Sequence, residues 1–375
     1  MLNIDKTSYW EQKSYFNSID FLIIGSGIVG YSTALHLRRT HPGAKITIIE
    51  RGILPSGASS KNAGFACFGS PSELKEDIEQ FGEKTVWETV KMRIDGLNYL
   101  EKILGTDTLD LKIYGSWDLF TNAEKHQFNN IKPHLPHFNA QLEKITGQQE
   151  VYTIDNDLSS KFGFDSIYSA FHNRLEGQID TSKLNDALHK RAVLENIQIL
   201  FGIEALSILE NQVVTSKGII GAKKIAICTN GFAQQFLPDE DILPARAQVL
   251  ITKPIENLKI KGTFHYQAGY YYFRNIDNRI LLGGGRNLDK IGETTTSIET
   301  TEPIMNRLEE LLKTVILPNT PFEIDHSWAG IMGVGGSKKP IIKEVQKNVF
   351  CGIRLGGMGI AIGTLVGKET ALLME

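Results

Sequence analysis

Residues 25–30 read GSGIVG, a glycine spacing that suits a turn around the phosphates of a dinucleotide. The apolar run FLII before the turn predicts a strand, and YSTALHLRR after it predicts a helix. Gly25 would let the chain turn sharply, Gly27 would leave room for a pyrophosphate, and Gly30 would let the helix lie close to the strand. The helix start at Ile28 would add free N–H groups and a partial positive charge. The spacing indicates dinucleotide binding, although glycine turns also serve ordinary loops.

Glu50 closes the segment KITIIE, which predicts a second buried strand and completes a βαβ unit. A carboxylate at this place can accept hydrogen bonds from the hydroxyl groups of a ribose. The alternative is that the glycines form a plain turn and that Glu50 lies at the surface. Strand, turn, helix and acid occur together in the required order, which favours dinucleotide binding. The motif does not distinguish NAD from FAD, because both contain the same adenosine half.

Two further glycine-rich segments favour FAD. Residues 51–72 form a loop with GASSKNAGF at its centre, where a nicotinamide enzyme usually continues with a second βαβ series. Near the carboxyl terminus, GGMGIAIG opens a predicted helix whose start could face the flavin end of the cofactor. An NAD-dependent dehydrogenase is therefore disfavoured.

The remaining segments predict the elements that must position these residues. Apolar residues at three- and four-residue steps over 82–104 predict a long helix that packs on a sheet. Residues 244–285 contain several strand-like runs, and 303–315 predict another helix. In one of the strands three consecutive tyrosines alternate, so Tyr271 should face away from Tyr270 and Tyr272.

The composition is that of a globular protein of 375 residues, long enough for two lobes. Its 40 basic and 43 acidic residues give a formal charge of −3, which favours neither a nucleic acid nor an anionic membrane as partner. We find no signal-peptide pattern and no apolar run of about 18 residues, so we expect a cytoplasmic protein without a membrane span. The three cysteines are isolated and suggest neither a disulfide framework nor a zinc site, and we expect no bound metal.

Four stretches, in this order, resemble the FAD-dependent oxidoreductases of the D-amino-acid oxidase family, which includes glycine oxidase and sarcosine oxidase. They are IDFLIIGSGIVGYSTALHL with ITIIERG, then PSGASSKNAGF, IAICTNGFA and VFCGIRLGGMGIAIGTLVGKETA. The resemblance implies an α/β fold with a Rossmann-like βαβ FAD-binding domain, assembled from residues 19–75, 166–240 and 325–375. Residues 76–165 and 241–324 would form an α+β substrate domain with a mostly antiparallel sheet.

The resemblance also implies which residues contact the cofactor. The family pattern falls on the glycine turn, on the acid that ends the second strand, on the loop beside the flavin, on the third stretch and on the closing turn. These residues are Gly25, Gly27, Ile28, Gly30, Glu50, Arg51, Ser59, Ser60, Asn62, Ala63, Gly64, Thr229, Gly231, Gly357, Met358 and Gly359. No cysteine or histidine stands where relatives attach the flavin covalently, so we expect noncovalent FAD.

The group that binds the substrate departs from the family pattern. Met332 stands where glycine oxidase has an arginine, and the two lysines of sarcosine oxidase align with Ala361 and with Ile280 or Leu281. A buried substrate carboxylate still needs a cation. We expect Arg286 or Arg354 to supply it, because each adjoins a glycine run near the expected cofactor. Arg274 and Lys338 are further candidates, and Tyr272 and Met332 are expected to border the substrate.

The resemblance implies transfer of a hydride from the C–H beside an amine to flavin N5, giving an imine that hydrolyses. The substrate would be an amino acid or a secondary amine, and the final electron acceptor would be oxygen or another acceptor. A 2-hydroxy-acid oxidase or dehydrogenase is the alternative within the same fold. A tRNA-modifying flavoprotein is disfavoured, because the chain has neither a basic face nor a fused methyltransferase. The sequence does not predict an oligomeric state.

Overall fold

Two large β-sheets carry the fold, with helices packed on their faces, in a computed structural model that describes residues 4–375. The strands are β1 (Ile19–Ile24), β2 (Ile46–Glu50), β3 (Phe65–Ala66), β4 (Ser116–Thr121), β5 (Tyr152–Asp155), β6 (Ile167–Asn173), β7 (Gly177–Gln178), β8 (Gln198–Phe201), β9 (Ala205–Leu209), β10 (Gln212–Thr215), β11 (Gly218–Ile227), β12 (Leu243–Thr252), β13 (Thr263–Tyr266), β14 (Tyr271–Ile276), β15 (Arg279–Gly284), β16 (Ile324–Val334), β17 (Ile341–Gln346) and β18 (Val349–Ile353). The α-helices are α1 (Tyr9–Glu11), α2 (Ile28–Thr40), α3 (Pro71–Phe81), α4 (Glu83–Leu104), α5 (Thr106–Leu109), α6 (Lys125–Ile131), α7 (Leu135–Thr146), α8 (Leu158–Phe162), α9 (Thr181–Leu194), α10 (Glu302–Leu311) and α11 (Gly359–Leu373).

The first sheet has the order β17–β18–β11–β1–β2–β8, and β10 and β9 extend it from β11. β1 runs parallel to β2 on one side and to β11 on the other. All five residues of β2 are buried. A parallel strand covered on both faces needs apolar residues in succession, which is why this segment is rich in isoleucine. The predicted βαβ unit β1–α2–β2 is confirmed.

The second sheet has the order β16–β12–β15–β14–β13–β4–β6–β5. Its pairs are antiparallel except that β13 runs parallel to β4. The expected α/β architecture with a mostly antiparallel second sheet is confirmed.

Two strands lie in a different sheet from the one that the predicted segments imply. β6 lies within 166–240 and β16, apart from its first residue, within 325–375, the segments that the resemblance assigns to the cofactor domain, yet both strands pair in the second sheet. β16 is long because it forms the edge of this sheet beside β12 along ten paired positions. Sheet membership and the predicted segments therefore differ for these two strands, and the division into two domains remains a prediction.

The final helix α11 joins the two parts of the fold. It packs against α2 in the core beneath the first sheet. It also crosses α4, where a Cβ added at Gly96 would lie 2.0 Å from the carbonyl oxygen of Ala361. The predicted helices over 82–104 and 303–315 are confirmed, since α4 covers the first and α10 begins the second. None of the helices described is both long enough and apolar enough to cross a membrane.

Candidate active site

A cavity of about 580 Å³ lies between the carboxyl ends of β1 and β2 and one face of the second sheet. Its volume falls within the usual range for sites that bind small molecules and cofactors. Most of the residues predicted from the sequence line it: Gly25, Gly27, Ile28, Glu50, Arg51, Ser59, Asn62, Ala63, Gly64, Thr229, Tyr272, Arg286, Met332, Gly357, Met358 and Gly359. Segments far apart in the chain thus meet at one cavity.

The glycine turn at the amino end of α2 requires glycine for steric reasons. Gly25 has a φ of +104°, which L side chains rarely adopt. A Cβ at Gly30 would lie 1.9 Å from the carbonyl oxygen of Gly25, so a side chain there would separate helix and strand. A Cβ at Gly27 would lie 2.9 Å from the hydroxyl of Ser59. Gly30 itself does not line the cavity, and it acts through this close packing.

The first N–H of α2 already has a partner. The backbone N–H of Ile28 donates to Oγ of Ser59 at 2.9 Å. Ser59 therefore fixes the loop against the helix start, at the place where a phosphate is expected to bind.

Glu50 lies at the cavity wall with its carboxylate fully hydrogen-bonded by the protein. One oxygen accepts from the N–H and the hydroxyl of Ser26, at 3.1 and 2.9 Å. The other accepts from the N–H of Gly52 at 3.0 Å and from Oγ of Ser56 at 2.7 Å. Four bonds fill the capacity of a carboxylate. Since Ser56 also lines the cavity, a ribose hydroxyl that reached Glu50 would share or replace the Ser56 bond.

The loop between β2 and β3 is held by its own side chains. Asn62 donates to the carbonyls of Ala58 and Ser59 and accepts from the N–H of Gly64. Ser60 is exposed, lies outside the cavity lining and donates to the carbonyl of Pro55 at 2.7 Å. Its side chain therefore stabilises the loop rather than the cavity wall.

The opposite wall combines the end of β11 with the turn before α11. The hydroxyl of Thr229 is buried and has no hydrogen-bond partner among the described residues. Gly231 does not line the cavity, because its Cα packs against the carbonyl of Met332. Gly357 has a φ of +82°, and a Cβ there would lie 3.2 Å from Sδ of Met332. Met332 thus packs against both the turn at Gly231 and the turn at Gly357.

This donor set fits a dinucleotide. Phosphates can approach the backbone of the turn at Gly25 and Gly27, Glu50 lies at the cavity wall beside it, and the orphaned Thr229 hydroxyl offers a polar contact. Arg51 adds a cation over the ring of Phe232, 3.8 Å from its centroid.

The candidate cations differ in whether they are free to bind a substrate. Arg286 lines the cavity, and its buried Nε lacks a hydrogen-bond partner among the described residues. Arg354 does not line it: its guanidinium binds the carboxylate of Asp241 at 2.7 Å and the backbone carbonyls of Asp241 and Lys339. This placement corrects the expectation for Arg354, because its guanidinium lies outside the cavity lining and is held by three hydrogen bonds to Asp241 and Lys339.

Of the two further candidates, one is paired with acids and the other lies outside the cavity lining. Lys338 lines the cavity but forms ion pairs with Glu73 at 3.0 Å and Asp77 at 2.8 Å. Arg274 is buried beside Gly64 and does not line the cavity. Burial lowers its pKa to about 10, which still leaves it charged at neutral pH.

One acidic face of α3 lines the cavity and was not predicted. Glu73, Glu76, Asp77 and Gln80 follow the helical repeat, so their spacing in the sequence carried the signal. Burial by itself would raise the pKa of Glu73, but the charges of Lys338 and Arg93 lower it to about 2. Burial raises the pKa of Glu76 and Asp77.

The second sheet closes the cavity with aromatic side chains. Tyr272 lines it and makes edge contacts with Phe65, whereas Tyr271 is buried in the core on the other side of the sheet. The predicted alternation is confirmed. Glycine at 283 makes room for the Tyr272 ring, since a Cβ there would lie 2.8 Å from the phenol oxygen. Burial raises the pKa of Tyr272 to about 12, so the phenol stays protonated.

Comparison with known proteins places this site in context. Residues 20–373 match the family model described as FAD dependent oxidoreductase. The chain is 21% identical to a probable oxidoreductase, OrdL, of Haemophilus influenzae, over 94% of this chain and 82% of that protein. It is 22% identical to the gamma-glutamylputrescine oxidoreductase of Escherichia coli, over 95% and 83%. The fold is similar to that of L-proline dehydrogenase from P. horikoshii, with a TM-score of 0.73, 19% identity and coverage of 95% and 93%.

Proposed function

Because the chain belongs to the family of FAD-dependent oxidoreductases, we propose that it oxidises the C–N bond of an amino acid or a secondary amine to an imine. Bound FAD supplies the hydride acceptor. The observation that carries the proposal is the cavity itself, which has the dinucleotide turn at one wall and an aromatic roof with charged groups at another. The residues of the chain have to bind and orient the substrate and exclude water.

The charges of the cavity favour an amine over a 2-hydroxy acid. The acidic face of α3 contributes three carboxyl groups, of which Glu73 and Asp77 share the cation of Lys338. Such a wall attracts an ammonium group, which amines and amino acids carry and 2-hydroxy acids lack. Two of the similar proteins are named for L-proline and gamma-glutamylputrescine, and both compounds contain an amine.

Arg286 is the proposed anchor for a substrate carboxylate. Its Nε has no partner among the described residues, so a bidentate bond to a carboxylate would satisfy a buried donor. It also directly follows the glycine run 283–285, against which Tyr272 packs. A substrate held there lies at the roof of the cavity.

We further propose that FAD is bound noncovalently. Cys67 and Cys228 line the cavity, but burial raises the pKa of both thiols, that of Cys228 to about 12. A protonated thiol is a poor nucleophile. The three cysteines are free, which is consistent with the proposed cytoplasmic location.

The test is anaerobic reduction of the flavin in purified protein loaded with FAD. A panel should contain glycine, sarcosine, L-proline, D-alanine and putrescine as amines, with glycolate and L-lactate as hydroxy acids. We expect one or more amines to bleach the flavin and both hydroxy acids to leave it oxidised. Bleaching by hydroxy acids alone would contradict the proposal. Readmission of oxygen, or addition of a dye, then identifies the class of electron acceptor.

A further inference from the structure

Three side chains from distant parts of the sequence converge behind the cavity roof. Cys67 follows β3, Glu176 precedes β7, and His265 lies in β13. The thiol, a carboxylate oxygen and an imidazole nitrogen all lie within 4.8 Å of one another. Cys67 and His265 line the cavity, and Glu176 is completely buried behind them.

Two polar atoms of this group lack hydrogen-bond partners among the described residues. One oxygen of Glu176 accepts from the N–H groups of Phe68 and Gly69, at 2.6 and 3.0 Å, but Oε2 accepts none. Nε2 of His265 is likewise buried and unpartnered. Leaving such buried groups without a hydrogen bond is unfavourable for folding. Both atoms are buried behind the cavity wall, which the residue His265 itself lines.

At neutral pH the surroundings keep His265 uncharged and Glu176 near the midpoint of its titration. Burial lowers the pKa of His265, against the opposing effect of Glu73. Burial raises the pKa of Glu176 to about 7, although the N–H groups of Phe68 and Gly69 oppose the shift. The pKa of Cys67 is raised well above its ordinary value by burial, so the thiol is uncharged.

Other charged and titratable groups also face the histidine. From β14, Tyr272 pairs with His265 in register and keeps its proton. From β4, Asp118 is the in-register partner on the other side. α3 contributes Glu73 and Asp77, whose charges are offset by Lys338 and, for Glu73, also by Arg93.

An amine must lose a proton before it can be oxidised by hydride transfer, because an ammonium nitrogen has no lone pair to support loss of hydride from the adjacent carbon. Amines with ordinary pKa values are almost entirely protonated at neutral pH. A group in the cavity that removes this proton would let the abundant ammonium form react. A neutral imidazole that lines the cavity can do this.

We propose that His265 accepts the proton of the substrate ammonium, with Glu176 as the positioning residue that stabilises the resulting imidazolium. The N–H bond of the ammonium breaks, its electron pair stays on the amine nitrogen, and a new N–H bond forms on the imidazole. One proton moves and no electrons are transferred. A carboxylate within about 4–6 Å favours the charged imidazole. This inference rests on the proposed amine oxidation.

The first test compares the variants H265Q, E176Q and H172Q, all loaded with FAD. His172 is a matched control, because it is a partly buried histidine stacked on Trp117 that does not line the cavity. The substrate is the amine of the panel that bleaches the wild-type flavin fastest. With it, the rate of flavin reduction in H265Q should be roughly 10²-fold lower or more at pH 7. In the pH–rate profile of H265Q, the rise in rate on the acid side should move to higher pH, where free amine exists in solution. H172Q should behave as wild type, and all variants should retain FAD.

The second test measures the proton directly, by NMR titration of ¹³C-labelled histidines in the FAD-loaded protein. His265 should be neutral at pH 7, and E176Q should lower its pKa further. The inference would be overturned by a His265 that is charged at pH 7, or by an H265Q variant whose rate of flavin reduction and pH dependence equal those of wild type. Neither result would contradict the proposed amine oxidation. If no amine bleaches the wild-type flavin, the proposed function fails and this inference fails with it.

A metal ion is the competing occupant of the same three side chains, since thiolate, imidazole and carboxylate together can bind zinc. Metal analysis of the protein after dialysis against a chelator distinguishes a metal site from the proposed proton-accepting role of His265. One equivalent of zinc that is retained by wild type and lost in C67S would make the group a metal site and contradict the proton role. Metal-free protein with the predicted pH profile supports it.

Discussion

At the scale of single residues, Arg286 is the cation on which substrate binding is predicted to depend. R286Q removes a charge-assisted hydrogen bond, which is worth about 1.5–3 kcal/mol. We expect the KM for a carboxylate-bearing amine to rise about 10- to 100-fold, with a smaller change in kcat and none in FAD content. Steady-state kinetics on an amino acid and on a simple amine measure this.

The control is R279Q, because Arg279 begins β15, the strand that leads to Arg286, and forms an ion pair with Asp325 outside the cavity. It should leave both KM values unchanged. Equal effects of R286Q on the amino acid and on the simple amine would contradict a role in carboxylate binding.

At the scale of elements, the β1–α2 turn is predicted to tolerate no side chain at Gly30. G30A places a Cβ against the carbonyl of Gly25, and such overpacking costs about 1–3 kcal/mol or more. We expect a lower melting temperature and loss of FAD from the purified protein. Thermal unfolding and the flavin absorbance report the two effects.

The matched substitution is G43A, since Gly43 is exposed in the turn before β2, and a Cβ added there would have no atom within 4 Å. It should keep both the stability and the FAD of wild type. If G30A also keeps both, close packing of helix and strand is not what the glycine provides.

At the scale of the whole molecule, two carboxyl groups buried in the fold should make stability fall as the pH rises. Burial raises the pKa of Asp118 and of Glu176 to about 7, above the value of about 4 expected in the unfolded chain. The unfolded state therefore loses these protons first, and folding is penalised increasingly between about pH 4 and 7. Above pH 7 the penalty is complete.

The variant D118N removes one of these ionisations and should be more stable than wild type at pH 8, by an amount on the order of 2 kcal/mol. Its stability should also depend less on pH between about 4 and 7. Chemical unfolding at several pH values measures both. D239N alters an exposed acid and should follow the wild-type curve. A D118N curve parallel to wild type would show that Asp118 does not ionise in this range.

The sequence by itself determined the features that depend on neighbouring residues. The glycine turn, the buried second strand, the helix over 82–104 and the alternation around Tyr271 follow from local sterics and from the helix and strand repeats. The order of the motifs also identified the family and its cofactor, and it located most of the residues that line the cavity.

Only the tertiary structure decided which polar groups are free. Arg354 and Arg286 both adjoin glycine runs, but Arg354 meets Asp241, which is 113 positions away in the chain. The meeting of Cys67, Glu176 and His265 and the pairing of β16 with the second sheet likewise depend on long-range packing. Local patterns set how a segment folds, whereas the partner of a buried charge is set by where the whole chain brings a distant residue.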